Sequence, residues 1–123
     1  RSILVTDATT PAGARPGRYQ LGEQDVDLTE DGRVVLTGTE RLAGSALRMD
    51  RGVENLMRLA GLSLAEALAM AARNPARIGR VPGRQRGLVP GDRADIIEFR
   101  FDPEGKSITV EKTWMGGRLV FHV

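Results

Sequence analysis

Asp7 closes an apolar run, Ile3-Leu4-Val5-Thr6, and this order of residue types is the part of the chain best suited to chemistry. Consecutive aliphatic residues bounded by polar ones predict a short strand buried on both faces, the habit of parallel sheets. A carboxylate at the C-terminal tip of such a strand stands where barrel enzymes carry catalytic groups, able to take or give a proton. Aspartate ahead of a loop also caps the following turn through backbone N–H groups, so both roles are open for Asp7. The second candidate is Leu42-Ala43-Gly44-Ser45. Small residues around a glycine let a ligand approach the backbone, and a helix start just beyond offers N–H donors to hydroxyl or phosphate oxygens. Capping of that helix by Ser45 or Asp50 is the bland alternative, and the two are compatible. His122 is the single histidine and has no partners at metal-ligand spacing. The chain has no cysteine, and none of its residues is assigned to a metal.

These candidates need elements to hold them. Pro11-Ala12-Gly13-Ala14-Arg15-Pro16-Gly17 reads as a loop. The alternating runs at Tyr19-Gln20-Leu21, Val26-Asp27-Leu28 and Val34-Val35-Leu36, with a turn at Glu30-Asp31-Gly32, predict a hairpin excursion over 18–37. So long an insertion is uncommon unless it shapes a site. Val53, Leu56, Met57 and Ala60 share one helical face, with Arg51, Glu54, Asn55 and Arg58 opposite; Asp50 is the expected N-cap and Gly61 the stop. A second helix starts with a Ser63/Glu66 capping box, buries Leu64, Ala67, Leu68 and Ala71, and ends at Asn74-Pro75, where Pro75 begins one further short turn. After a loop from Val81, strands over 94–101, 108–112, 113–115 and 118–123 predict an antiparallel β module, packed by Trp114 and Met115.

Composition bounds the function. With 123 residues, 41% of them hydrophobic and 28% charged, the chain suits one globular domain. No run is long enough to cross a bilayer and no signal-peptide pattern opens the sequence, so no membrane partner is expected. Net charge is +2, from 18 basic and 16 acidic side chains. The densest basic cluster, Arg77, Arg80, Arg84 and Arg86, has no aromatic residues among it and reads as a solvated loop rather than a nucleic-acid surface. The absence of cysteine suits a cytoplasmic setting.

Five motifs coincide in order: Thr6-Asp7-Ala8; Ala12-Gly13-Ala14; Leu42-Ala43-Gly44-Ser45-Ala46-Leu47-Arg48-Met49-Asp50; Asn74-Pro75-Ala76-Arg77; and Gly87-Leu88-Val89-Pro90-Gly91-Asp92-Arg93-Ala94-Asp95-Ile96. In that order and spacing, over residues 2–121, the chain resembles the C-terminal third of N-acetylglucosamine-6-phosphate deacetylases, metal-dependent members of the amidohydrolase superfamily. The resemblance implies an α/β fold: the C-terminal fragment of a (β/α)8 TIM-like barrel plus antiparallel strands of a small β-sandwich domain. Residues 2–7 would be the last barrel strand, 1–81 the barrel end with its hairpin insertion, and 82–123 the sandwich strands.

The implied activity, within amino-sugar catabolism, converts N-acetylglucosamine 6-phosphate into glucosamine 6-phosphate and acetate. Asp7 then shuttles the proton of a metal-activated water to the departing nitrogen, and it is also open as a metal ligand. Ala43, Gly44 and Ser45 contact the substrate, and Asp95 is structural. A divalent metal, zinc or iron, would be held by a Glu and two His outside this stretch. The implied partners are the sugar phosphate, the remainder of the enzyme chain and a second copy in a homodimer.

Two alternatives stand beside this reading: a dihydroorotase- or deaminase-like amidohydrolase, and a non-catalytic structural or binding module derived from the enzyme tail. The chain starts without methionine and inside the expected strand, which fits the tail of a larger enzyme. Alone, these 123 residues are expected neither to bind the metal nor to deacetylate the sugar. Residues 2–7 are then expected to be disordered, swapped or abnormally paired.

Overall fold

Alternating apolar and polar residues after position 16 pair into an antiparallel sheet of four strands. These are β1 (Gly17–Leu21), β2 (Gln24–Leu28), β3 (Val34–Leu36) and β4 (Leu42–Gly44), in the spatial order of the chain. Gly22 opens the two-residue β1–β2 connection with φ of 61°, the left-handed geometry such hairpins require there. Tyr19 pairs with Val26, and Val26 with Leu36, so one face gathers Val26, Leu28 and Val34 against Tyr19, Leu21, Leu36, Ala43 and Ala46. The expected hairpin is therefore a four-stranded meander. Its last strand, β4, carries no alternation long enough to be read from sequence.

The computed structural model describes residues 2–123 as an α/β protein with two antiparallel sheets and few helices. It holds two compact units, Val5–Gly52, and Val53–Val123 with the residues through Leu4. Helix α1 (Met49–Leu59) is amphipathic as its periodicity predicts, and Gly61, at φ of 68°, follows its end. Asp50 lies inside the first turn, not ahead of it, and accepts the Arg51 N–H at 2.9 Å.

α2 (Leu64–Leu68) begins with the predicted box: Ser63 Oγ accepts the Glu66 N–H at 3.3 Å, and Glu66 accepts the Ser63 N–H at 2.9 Å. The helix does not end at Asn74-Pro75. It passes through a π-helical turn, Ala69–Arg73, into α3 (Asn74–Ile78). In that turn the Asn74 N–H reaches the Ala69 carbonyl. By the same step the Met70 carbonyl would accept from residue 75, but proline has no N–H. The freed carbonyl instead accepts the Leu4 N–H at 2.9 Å, and the Asn74 side-chain amide donates to the Ser2 carbonyl at 2.8 Å.

Strands β5 (Ile96–Asp102), β6 (Ser107–Met115) and β7 (Arg118–His122) form the second sheet, with β6 central. The core of this unit is Val53, Met57, Ala67 and Ile108, flanked by Leu4, Leu56, Leu64, Leu68, Phe99, Phe101 and Val110. Glu54 corrects the helical reading: it is only 1% exposed, not on a solvated face. Its carboxylate accepts the Ile108 N–H at 2.8 Å and pairs with Arg58 at 3.2 Å. Met115 is also corrected: at 53% exposed it lies at the surface of the β module and not in its interior.

Residues 2–7 form no regular strand, and Val5 is 65% exposed rather than buried on both faces. A strand is defined by its neighbours. Among the described residues this stretch has a single sheet-like pairing at its end, a parallel bridge from Ala8 to Ser45. No helix among the described residues is long and apolar enough to cross a membrane.

Candidate functional site

Within Val5–Gly52 the two candidate motifs lie side by side. Ala8 bridges Ser45, and the next residue completes the junction: the Thr9 N–H donates to the Ser45 carbonyl at 2.8 Å, as does Thr9 Oγ1 at 3.1 Å. Immediately before this junction, Asp7 adopts φ of 50°, a left-handed conformation that aspartate tolerates better than most residues. Its side chain is exposed and has no hydrogen-bond or ion-pair partner among the described residues. The turn-capping role open to Asp7 needs a bond to a following N–H, and that bond is not formed.

The partner segment is shaped by an irregularity. Val34 pairs with Gly44, but Val35 pairs with Leu42, so Ala43 is an extra residue bulged out of β4. Bulges bend a strand and re-aim its residues, often beside active sites. Gly44 follows with its backbone against Thr9: a Cβ built there would lie 2.7 Å from Thr9 Oγ1 and 2.8 Å from Thr9 Cγ2. The close approach that glycine permits is thus made here by a neighbouring side chain. Ser45 Oγ accepts the Leu47 N–H at 3.0 Å, tightening the turn into α1, at whose start the Gly52 N–H donates to the Arg48 carbonyl at 2.9 Å.

A cleft of about 370 Å3 opens along this segment, lined by Gly44, Ser45, Ala46 and Leu47 with Arg48 and Arg51. Asp7 does not line it. Arg33 reaches the same cleft, paired with Asp31 at 2.7 Å and Glu40 at 3.3 Å, and those bonds raise its already high pKa. Arg48 is held by Asp50 at 2.6 Å. The cleft is therefore lined by arginines, of which Arg33 and Arg48 are paired with carboxylates, and by small residues along one wall.

A larger hollow of about 510 Å3 lies on the second sheet around Ile96, Ile97, Trp114 and Glu98. Its one carboxylate, Glu98, is paired with Lys112 at 2.9 Å, and no candidate residue faces it. The other singled-out residues are accounted for. Asp95 ties a turn together, accepting from Arg93 Nε at 3.0 Å and the Gly116 N–H at 2.7 Å, with Arg84 as a further ion-pair partner. Those bonds, Arg93 foremost, hold its carboxyl below the usual range. Arg86 pairs with Asp92, so half of the basic loop cluster is neutralised locally. His122 is exposed on the edge strand β7. No group of three or more His, Cys, Asp or Glu among the described residues could hold a metal ion, so these residues do not by themselves fit a metal centre.

Sequence reasoning passed over Thr9. Its signal was a β-branched residue with a hydroxyl directly after Thr6-Asp7-Ala8, but only the fold reveals which carbonyl it meets.

No family model matches the chain. An Escherichia coli K12 protein provisionally named N-acetylgalactosamine-6-phosphate deacetylase is 38% identical over 119 residues, covering 97% of this chain and 67% of that protein. Among solved structures, an N-acetylglucosamine-6-phosphate deacetylase from Thermotoga maritima superposes with a TM-score of 0.76 at 30% identity, covering 99% of this chain and 31% of the other. A mutant of the Mycobacterium smegmatis enzyme, solved in complex with N-acetyl-D-glucosamine-6-phosphate, gives a TM-score of 0.73 at 30% identity, covering 95% of this chain and 30% of the other. The chain thus spans two thirds of one relative and about three tenths of the solved enzymes. It belongs to the family of N-acetylglucosamine- and N-acetylgalactosamine-6-phosphate deacetylases, whose C-terminal part it matches.

Proposed function

We propose that this chain forms part of a hydrolase that removes the acetyl group from N-acetylglucosamine 6-phosphate, with water yielding glucosamine 6-phosphate and acetate. The observation that carries the reading is the junction of Ala8 and Thr9 with Ser45, which sets the turn bearing Asp7 against the bulged, glycine-containing strand end. An amide resists hydrolysis because its nitrogen leaves poorly unless protonated. Asp7, with no competing partner, takes the proton of the attacking water and returns it to that nitrogen. Ala43, Gly44 and Ser45 contact the sugar, and the cleft that Gly44 and Ser45 line also carries Arg33, Arg48 and Arg51.

The finer architecture belongs to the same proposal. Residues 2–7 supply the last strand of a (β/α)8 barrel, and β5 to β7 are part of a small sandwich domain. The divalent metal, zinc or iron, would be held mostly by residues other than 2–123. A homodimer and a cytoplasmic setting complete the reading. The 38% identity to the Escherichia coli K12 relative also favours N-acetylgalactosamine 6-phosphate as a substrate.

Acetate release by the intact protein tests this, with both sugar phosphates compared against dihydropyrimidines and nucleobases. Deacetylation of a hexosamine phosphate is expected, and Asp7→Asn should lower kcat by about 10²–10⁴-fold. Turnover of a cyclic amide or amidine instead, or an Asp7→Asn enzyme within a few-fold of the parent, overturns the assignment.

A further inference from the structure

We propose that Thr9 is a positioning residue for deacetylation, fastening the turn that carries Asp7 to the strand end at Gly44 and Ser45. The proposal rests on the deacetylase reading above. Every part of the Thr9 residue is engaged. Its N–H and its hydroxyl both donate to the Ser45 carbonyl, at 2.8 and 3.1 Å, and together they fill that oxygen's two lone pairs. Its hydroxyl and methyl occupy the space where any side chain at position 44 would begin. Valine keeps the shape and loses the donor; serine keeps the donor and loses the methyl.

The arrangement matters because Asp7 is held by nothing else of its own. Among the described residues its carboxylate has no partner, and its φ of 50°, though aspartate tolerates it better than most residues, draws support from its surroundings. Two residues later, Thr9 fixes the backbone direction. It does so on the segment assigned to contact the sugar, so one side chain sets the placement of the proton-transferring carboxylate relative to the substrate-binding backbone. Displacements of that kind reduce turnover more than affinity.

The test is steady-state kinetics on the intact, metal-loaded enzyme, together with hydrogen exchange at the amide of Thr9. Thr9→Val is expected to lower kcat about tenfold with KM within about threefold, while Thr9→Ser stays within about threefold of the parent in both. The Thr9 amide should exchange faster in Thr9→Val than in Thr9→Ser. Gly44→Ala, whose Cβ displaces the threonine, should reproduce the exchange defect and carries the comparison if Thr9→Val fails to fold. Parental kcat and parental exchange in Thr9→Val overturn the proposal. So do equal losses in the valine and serine variants, which would make Thr9 a packing residue only. If the parent enzyme releases no acetate from either sugar phosphate, the deacetylase reading fails by itself, and the exchange rates still decide whether Thr9 is the clamp.

Discussion

A carboxylate moves protons only while its lone pairs are free, and the acidic residues of this chain divide on that point. Among the described residues Asp7 has no partner, whereas Asp95 and Glu54 are committed to structure. For Asp95, bonds from Arg93 and the Gly116 N–H favour the ionised form, so its folded pKa lies below the ordinary 3.8. The sign follows directly. The stabilisation is present above pH 3.8 and is lost as pH falls through the lower folded value. An acid titration followed at the Gly116 amide should therefore report loosening of that turn only below pH 3.8, and Asp95→Asn should remove the transition. Glu54 is the opposite of what helical spacing suggests. Replacing it with alanine leaves the Ile108 N–H buried without an acceptor, at a cost of about 1–3 kcal/mol, read as a lower denaturation midpoint. Its role could not be read from sequence because the partner lies 54 residues away, on a strand whose register no local pattern specifies.

At the level of elements, what depends on neighbours in sequence was legible and what depends on neighbours in space was not. The Ser63/Glu66 box and the face formed by Val53, Leu56 and Met57 follow from helical spacing and appear as expected. The bulge at Ala43 and the continuation of the helix through Pro75 arise from pairing and from the π-helical turn, which leave no short-range signature. The second of these is testable. Pro75→Ala introduces an N–H that can reach the Met70 carbonyl inside the helix, in competition with Leu4. The Leu4 amide should then exchange at least about tenfold faster, while the helix itself gains from the better helix former. Unchanged protection at Leu4 would show that proline does not free that carbonyl.

On the scale of the whole molecule, Asp7 and the segment at residues 43–45 are candidates by residue type and by resemblance, because chemistry constrains residue types. Their connection through Thr9 was not, because it depends on one carbonyl's direction. The three-stranded sheet carries a related message. β7 exposes Leu119, Val120 and Phe121, an apolar run between Arg118 and His122, on an edge strand with unpaired backbone groups. Such an edge invites another strand, in keeping with the sandwich domain proposed for the complete enzyme. A last consequence concerns the order in which this protein forms. The amide of Asn74 holds the carbonyl of Ser2 across 72 positions of chain, whereas the turns of α2 close over only four. Closing the longer loop is entropically slower, so the leading segment docks onto a helix already made. Pulse-labelling during refolding should accordingly protect the amide of Ala67 ahead of that of Leu4, and simultaneous protection would contradict this sequence of events.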